Sequence, residues 1–471
     1  FSHMESLLAS GAPRKSHAAL ETSWGLVGRA MFCGVVNNAS FCVLLGASQE
    51  IANEFGQSKL QPLIINISTV GSVCGNFFSA KVMVGHMGDI ARLAFVALGN
   101  VAGYTLVGIA YLASSWDPDP HAHKEDPISP SWGFWLCTLG AFVLGFVQAA
   151  GEVMNLALYS SYQPKMLGSW GAGTGLAGVV GPFLFIGLHD GLQLDVGSVG
   201  FVLVGAIPLY FFTYWSIIVD RNTRAASCCA DTHIAETGGT KTHGADQVAL
   251  DTTQAEQLID GTLAVEAGAH GGESVSFTCA NLMVVWRFCS DVLVNMVAVY
   301  ALEYCITSGF MQAVTSCRPT SSWIADSDNN NPLLWAMYNV GVTISRASVS
   351  CFRIRQIWVL TVLQALNVAL WGVFASTQWI ARWRSDIPLY VACAQMVFVG
   401  FMGGACYSNC MYLFNTSPDI PDKYRELGIN MGFFFSNIGI ISATGLVTIL
   451  KVTVLSDDTL FPPHGECPDP S

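Results

Sequence analysis

Charge is scarce in this chain. Of its 471 residues, 11% are Asp, Glu, Lys or Arg and 52% are hydrophobic. Soluble domains carry about 25% charged residues. So little charge cannot cover a water-soluble globule of this size. What charge there is leans acidic, with a net value of −12, so a basic face for nucleic acid is missing. Metal and redox motifs are missing too. Fifteen cysteines are scattered through apolar stretches, with no CxxC pair and no Cys/His ligand spacing, and they read as small buried hydrophobes. No Ser-His-Asp set or HExxH motif has workable spacing. Neither an enzyme nor a metal or other cofactor is expected.

Long apolar runs are present instead, and mean hydropathy is +0.46. A bilayer core of roughly 30 Å takes about 20 helical residues. Eleven such segments are read, over about 24–48, 63–84, 90–114, 132–158, 168–188, 196–219, 281–311, 332–352, 356–376, 387–414 and 427–450. The fold class is therefore an all-α polytopic membrane protein in two bundles. The expected units are an N-terminal tail (1–22), a six-helix bundle (23–219), a linker (220–280), a five-helix bundle (281–454) and a C-terminal tail (455–471). The linker carries nine acids and three bases from Asp220 to Cys279, a composition that cannot bury a core. Counting Lys and Arg near segment ends, thirteen fall on the side of the N-terminus and six on the other. Positive charge favours the cytosol, so a cytosolic N-terminus and linker and a luminal C-terminus are expected. Two bundles joined by a long polar linker is the layout of major-facilitator-type transporters. The turn from Gly85 to Asp89, followed by Arg92, is similar to a loop signature of that superfamily.

A few polar side chains interrupt the apolar segments, and each needs a reason. Glu152 lies in the fourth segment, about 20 residues from its start, which places it toward the cytosolic end. Burial suits it to coupling, whereas an end position suits snorkelling or pairing. Glu303 lies near the far end of the seventh segment, and Arg346 lies inside the eighth. They pair with each other, or Arg346 presents a planar fork to a carboxylate or phosphate. Asn37, Asn38, Tyr407 and Asn409 offer amide and hydroxyl handles to a polar solute, or bond between helices. These seven are the candidate substrate-binding or coupling residues. Gly173-Thr-Gly175-Leu-Ala-Gly178 matches GxGxxG in form. It lies in an apolar helix without the strand a dinucleotide site needs, so Gly171, Gly173, Gly175 and Gly178 read as helix-packing positions.

Blocks of this sequence resemble the battenin family of lysosomal and vacuolar membrane proteins. They are VVNNASFCVLLGASQEI, GEVMNLALYSSYQPKMLGSWGAGTGLAG, ALEYCITSG, YNVGVTISRASVSCFRIR, GGACYSNCMYLF and YRELGIN. The resemblance places Asn38, Glu152, Gly171, Gly173, Glu303, Arg346 and Arg425 at matched positions. It implies a major-facilitator-like fold of eleven helices in a lysosomal or vacuolar membrane. It also implies a role in pH homeostasis, basic amino-acid handling or glycerophosphodiester export. The reading is thus a transporter of small polar or anionic solutes, with protons as a candidate coupled ion and the lipid bilayer as its surroundings. The rival reading is a non-transporting membrane scaffold that regulates organelle pH or trafficking through its linker.

Overall fold

A computed structural model describes residues 22–83, 86–114, 132–159, 161–237, 278–315, 327–348, 353–377 and 387–453. The described chain is helical throughout. Its α-helices are α1 (Trp24–Glu54), α2 (Gln61–Phe78), α3 (Asp89–Ser114), α4 (Trp132–Tyr159), α5 (Pro164–Ile186), α6 (Val196–Val204) and α7 (Ile207–Thr237) in the first half. The second half holds α8 (Cys279–Cys305), α9 (Met311–Thr315), α10 (Ser327–Ser348), α11 (Trp358–Thr377), α12 (Ile387–Thr416) and α13 (Asp422–Val452).

Local chemistry sets the boundaries. Ser23 caps α1 by accepting from the Leu26 amide at 3.3 Å, and Thr278 caps α8 by accepting from Asn281 at 3.4 Å. Such caps satisfy amides that have no partner within the helix. Asp195 caps α6 by accepting from the Ser198 amide at 2.9 Å. Burial works against its charge, but the hydrogen bonds from Ser198 outweigh it and hold the carboxyl below its ordinary value. Pro62 and Pro164 sit in the first turns of α2 and α5, where a missing N–H costs nothing. π-turns close α2, α5 and α8, at Ser79–Met83, Gly187–Gly191 and Ile306–Phe310.

Among the described residues, ten helical stretches are long and apolar enough to cross a membrane. The sixth expected segment is broken into α6 and α7, because Pro208 cannot supply the N–H that would continue α6. The seventh runs unbroken as a membrane stretch from Cys279 to Thr315, through α8, a π-turn and α9. The eighth, α10, falls short on apolarity, since it opens on Ser327-Asp-Asn-Asn-Asn and carries Arg346. It packs nonetheless between α5 and α12. Helix α7 continues past Asp220 to Thr237, into the stretch read as linker. An Arg224–Asp220 ion pair at 2.9 Å, one turn apart, supports that continuation. Residues 238–277 and both expected tails, apart from residue 22, lie outside the described residues.

The two halves repeat one packing plan. In the first, α1 packs on α5 and α2 on α4; in the second, α8 packs on α13 and α10 on α12. First helix meets fifth and second meets fourth in each. The halves meet reciprocally, α5 on α10 and α2 on α13. Glycines permit the close approaches. A Cβ on Gly34 of α1 would meet the Trp170 carbonyl, and one on Gly173 of α5 would meet the Met31 carbonyl. The apolar cores stay largely within each half, although Leu45 and Ile65 of the first half join the core of the second, and polar side chains gather along the seam between them.

Candidate functional site

A cavity of about 150 Å³ lies on that seam. It is lined from α1, α2, α4 and α5 on one side and from α8, α10, α12 and α13 on the other. At about 30 Å³ per water in the liquid, this is room for a small molecule. Both halves contribute polar groups.

The wall from the first half is a hydrogen-bonded chain of side chains. On α4, Gln148 and Glu152 are one helical turn apart and face the same way. The Gln148 amide donates to Glu152 at 2.8 Å and to the Asn38 carbonyl oxygen at 2.9 Å. Asn38 donates in turn to the Gly34 carbonyl at 3.4 Å. Thr174 of α5 completes this side and donates to the Gly171 carbonyl at 2.8 Å.

The wall from the second half is built on α8, α10 and α12. Glu303 is fully buried and accepts a hydrogen bond from the Tyr338 hydroxyl at one oxygen. Its other oxygen has no hydrogen-bond partner. On α10, Tyr338, Val342 and Arg346 follow at four-residue steps and share one face. The Arg346 guanidinium stacks 4.5 Å from the centre of the Tyr407 ring and donates to Thr174 at 3.4 Å across the seam. Its Nε is buried without a partner. Among the described residues, no carboxylate lies within 4.0 Å of Arg346.

Five of the seven candidate polar residues thus line one cavity: Asn38, Glu152, Glu303, Arg346 and Tyr407. Glu152 and Glu303, read from the sequence at opposite ends of the membrane, face the same space. Asn37 and Asn409 lie elsewhere. Asn37 is buried between α1 and α4, donating to the Gln148 carbonyl at 3.1 Å. Asn409 accepts from the Ile354 amide at 2.6 Å and donates to the Ala405 carbonyl at 2.8 Å, so it fastens the turn ahead of α11 to α12. Of the four glycines, Gly173 packs on α1, while Gly175 and Gly178 pack on α10 at Thr343 and Asn339. Gly171 faces open space, with nothing within 4 Å of an added Cβ. Sequence reasoning missed Gln148 and Tyr338. Each lies close to a whole number of helical turns from a charged candidate, Gln148 four residues before Glu152 and Tyr338 eight before Arg346. Among the described residues, no group of His, Cys, Asp or Glu is placed to hold a metal.

The turn ahead of α3 has its own ion pairs. Asp89 lies 2.6 Å from Arg221 of α7 and 3.5 Å from Arg92, and Arg92 donates to the Met83 carbonyl at 3.0 Å. These contacts tie α3 to α7 and to the end of the π-turn after α2. Arg425, placed by the battenin resemblance, is on α13 and does not line the cavity.

A family model described as CLN3 protein matches residues 29–456. Battenin of Dictyostelium discoideum is 24% identical over 445 residues, covering 91% of this chain and 94% of that protein. Battenin of Canis lupus familiaris is 25% identical, with coverages of 93% and 92%. Among solved structures, a POT family peptide transporter in complex with sulfate superposes with a TM-score of 0.54 at 10% identity, covering 91% of this chain and 90% of that one. A POT family transporter in complex with a thioalcohol-conjugated peptide gives 0.53 at 9% identity, with coverages of 93% and 91%. At that identity, the likeness is one of fold.

Proposed function

The chain belongs to the CLN3 protein family, and from that footing we propose that it carries a small polar solute across a membrane by alternating access of its central cavity. One observation carries the reading: a single seam cavity holds an arginine and two glutamates, contributed by both halves. Charges inside a membrane bundle face a partner or a water-filled path. Among the described residues, no carboxylate lies within 4.0 Å of Arg346 and one Glu303 oxygen accepts no hydrogen bond, which supports both meeting a solute.

The cavity carries both signs of charge, which favours a solute that does the same. A glycerophosphodiester with a cationic headgroup would place its phosphate at Arg346 and its cation toward Glu152 or Glu303. A basic amino acid would place its carboxylate and side chain likewise. Glu303 is the candidate for proton coupling. We place the protein in a lysosomal or vacuolar membrane, where its activity contributes to organelle pH homeostasis. We keep the N-terminus cytosolic and the C-terminus luminal. A tag-accessibility assay that finds both termini on one side would refute that orientation.

The direct test is uptake and efflux by purified protein in liposomes, using glycerophosphodiesters and arginine, with and without a pH gradient. Saturable flux of either is expected; folded protein that moves neither removes both substrate claims. Replacing residues 238–277 with a Gly/Ser spacer separates the transporter from a scaffold, since a transporter keeps its flux.

A further inference from the structure

Beyond the cavity, the second half buries a further set of polar groups. They lie between the Glu303 carboxylate and the face where α9 ends and α10 begins. Thr307 follows Glu303 by four residues, in the π-turn that closes α8. Its hydroxyl is buried without a hydrogen-bond partner, unlike those of Thr69, Thr138, Thr343 and Thr444, each of which donates to the carbonyl four residues back. Single π-turns of this kind recur at functional sites. On α10, Asn331 precedes Trp335 by four residues, so the two share a face. Asn331 is 3% exposed and both polar atoms of its amide lack a partner among the described residues. The Trp335 indole N–H is likewise buried without an acceptor.

Contacts join the two rows at the cavity end. The Trp335 ring meets Tyr304 at 6.3 Å and Tyr338 at 5.3 Å, and Tyr338 donates to Glu303. Trp335 and Glu303 line the cavity, whereas Thr307 and Asn331 do not. The unpartnered groups therefore continue from Glu303 past the cavity wall toward the α9–α10 face. Burying such groups costs free energy that a hydrogen bond returns. Buried water characteristically supplies it, bonding about three otherwise unsatisfied groups at a time.

We infer that Thr307, Trp335 and Asn331 line a file of bound water through the second half, and that protons reach Glu303 from the α9–α10 face by this file rather than through the solute cavity. The inference rests on the proposed proton-coupling role of Glu303. A hydronium in the file gives its proton to the carboxylate oxygen that accepts no hydrogen bond, which leaves water in the file and a neutral carboxyl. The proton later leaves that oxygen for water in the cavity. Separate routes let Glu303 load while a solute fills the cavity. The α9–α10 face is luminal in the orientation proposed above. The titratable and charged groups near Glu303 are Tyr300 and Tyr304 on α8, Tyr338 and Arg346 on α10 and Cys406 on α12. Across the cavity are Glu152 and Cys42. Helix α13 packs on α8 from Gly439 at Tyr300 to Val447 at Gly309, a run without a titratable side chain, and α11 holds none either. Helix α12 sets Gly403 against the carboxylate, where a Cβ would collide with both oxygens.

The test follows the Glu303 carboxyl itself, by infrared difference spectroscopy on the full chain in lipid nanodiscs. The carbonyl band of the protonated acid is identified as the one that Glu303→Gln removes. Its shift after transfer to heavy water gives the rate of proton exchange. Thr307→Val and Asn331→Leu keep nearly the same shape and remove the polar atoms that line the file. Each should slow exchange by about tenfold, the factor that loss of one hydrogen bond carries. Exchange unchanged in both variants overturns the proposal, as does a wild-type spectrum with no band that Glu303→Gln removes. If Asn331→Leu fails to elute as a monodisperse species, Thr307→Val, which exchanges a hydroxyl for a methyl, decides alone. The readout is a band rather than a flux. Failure of the substrate claims therefore leaves the exchange result intact, and unchanged exchange leaves the transport reading standing.

Discussion

The two walls of the cavity differ in how much of their hydrogen bonding is already satisfied. On the first-half wall, Gln148 bonds Asn38 and Glu152 together, and all three lie within hydrogen-bonding distance of a neighbour. On the second-half wall, Glu303 keeps one oxygen and Arg346 keeps its Nε without a partner, while tyrosines hold both in place. A buried polar group without a partner costs roughly 1–3 kcal/mol. A fold retains that cost where another molecule supplies the missing bond. On the proposed reading, the second half would supply the main solute contacts, with Glu152 of the first half facing the same cavity.

Arg346→Lys is the sharpest attempt to break that assignment. Lysine keeps the charge but loses the planar fork and the stacking on Tyr407. Transport in liposomes should fall about tenfold or more, in line with roughly 1.5–3 kcal/mol for a hydrogen bond to a charged group. If Lys restores full flux, Arg346 acts only as a point charge. Gly173→Val comes next, through folding rather than chemistry. Its side chain would enter the Met31 carbonyl, and overpacking of this kind costs about 1–3 kcal/mol. The thermal midpoint in detergent should drop, whereas Gly171→Ala, with open space around it, should leave the midpoint unchanged.

Glu303→Gln is expected to retain solute exchange but to lose acceleration by a pH gradient. The same change at Glu152 should leave gradient dependence in place, because an amide can still accept the bond that Gln148 donates there. Equal loss in both variants would erase the distinction between the walls. The smallest effect is expected at Asn409→Ala. It removes the hydrogen bond from the Ile354 amide in the turn ahead of α11, costs stability of about 1 kcal/mol, and should leave solute affinity unaltered.

Much of this architecture was legible in the residues. Low charge and repeated apolar runs specify membrane helices, because hydrocarbon accepts little else. Glu152, Glu303 and Arg346 stood out for the same reason. Depth was less legible. The stretch from Cys279 to Thr315 has 37 residues, far more than the roughly 20 a bilayer needs, so counting from its start puts Glu303 too far toward one end. Neighbouring residues were not separable either. Asn37 and Asn38 differ by about 100° around one helix, and only the position of α4 decides that Asn38 lines the cavity while Asn37 is buried against Gly151.

What the sequence alone determined is therefore the solvent, the secondary structure and the short list of groups too polar for their surroundings. Each follows from transfer free energies and from spacing along one helix. Only the tertiary structure decided which groups share a cavity and which glycines carry close packing. Those depend on the rotation, tilt and depth of each helix against its neighbours. Contacts far apart in the chain set these, such as Asn66 to Thr444 and Arg346 to Thr174.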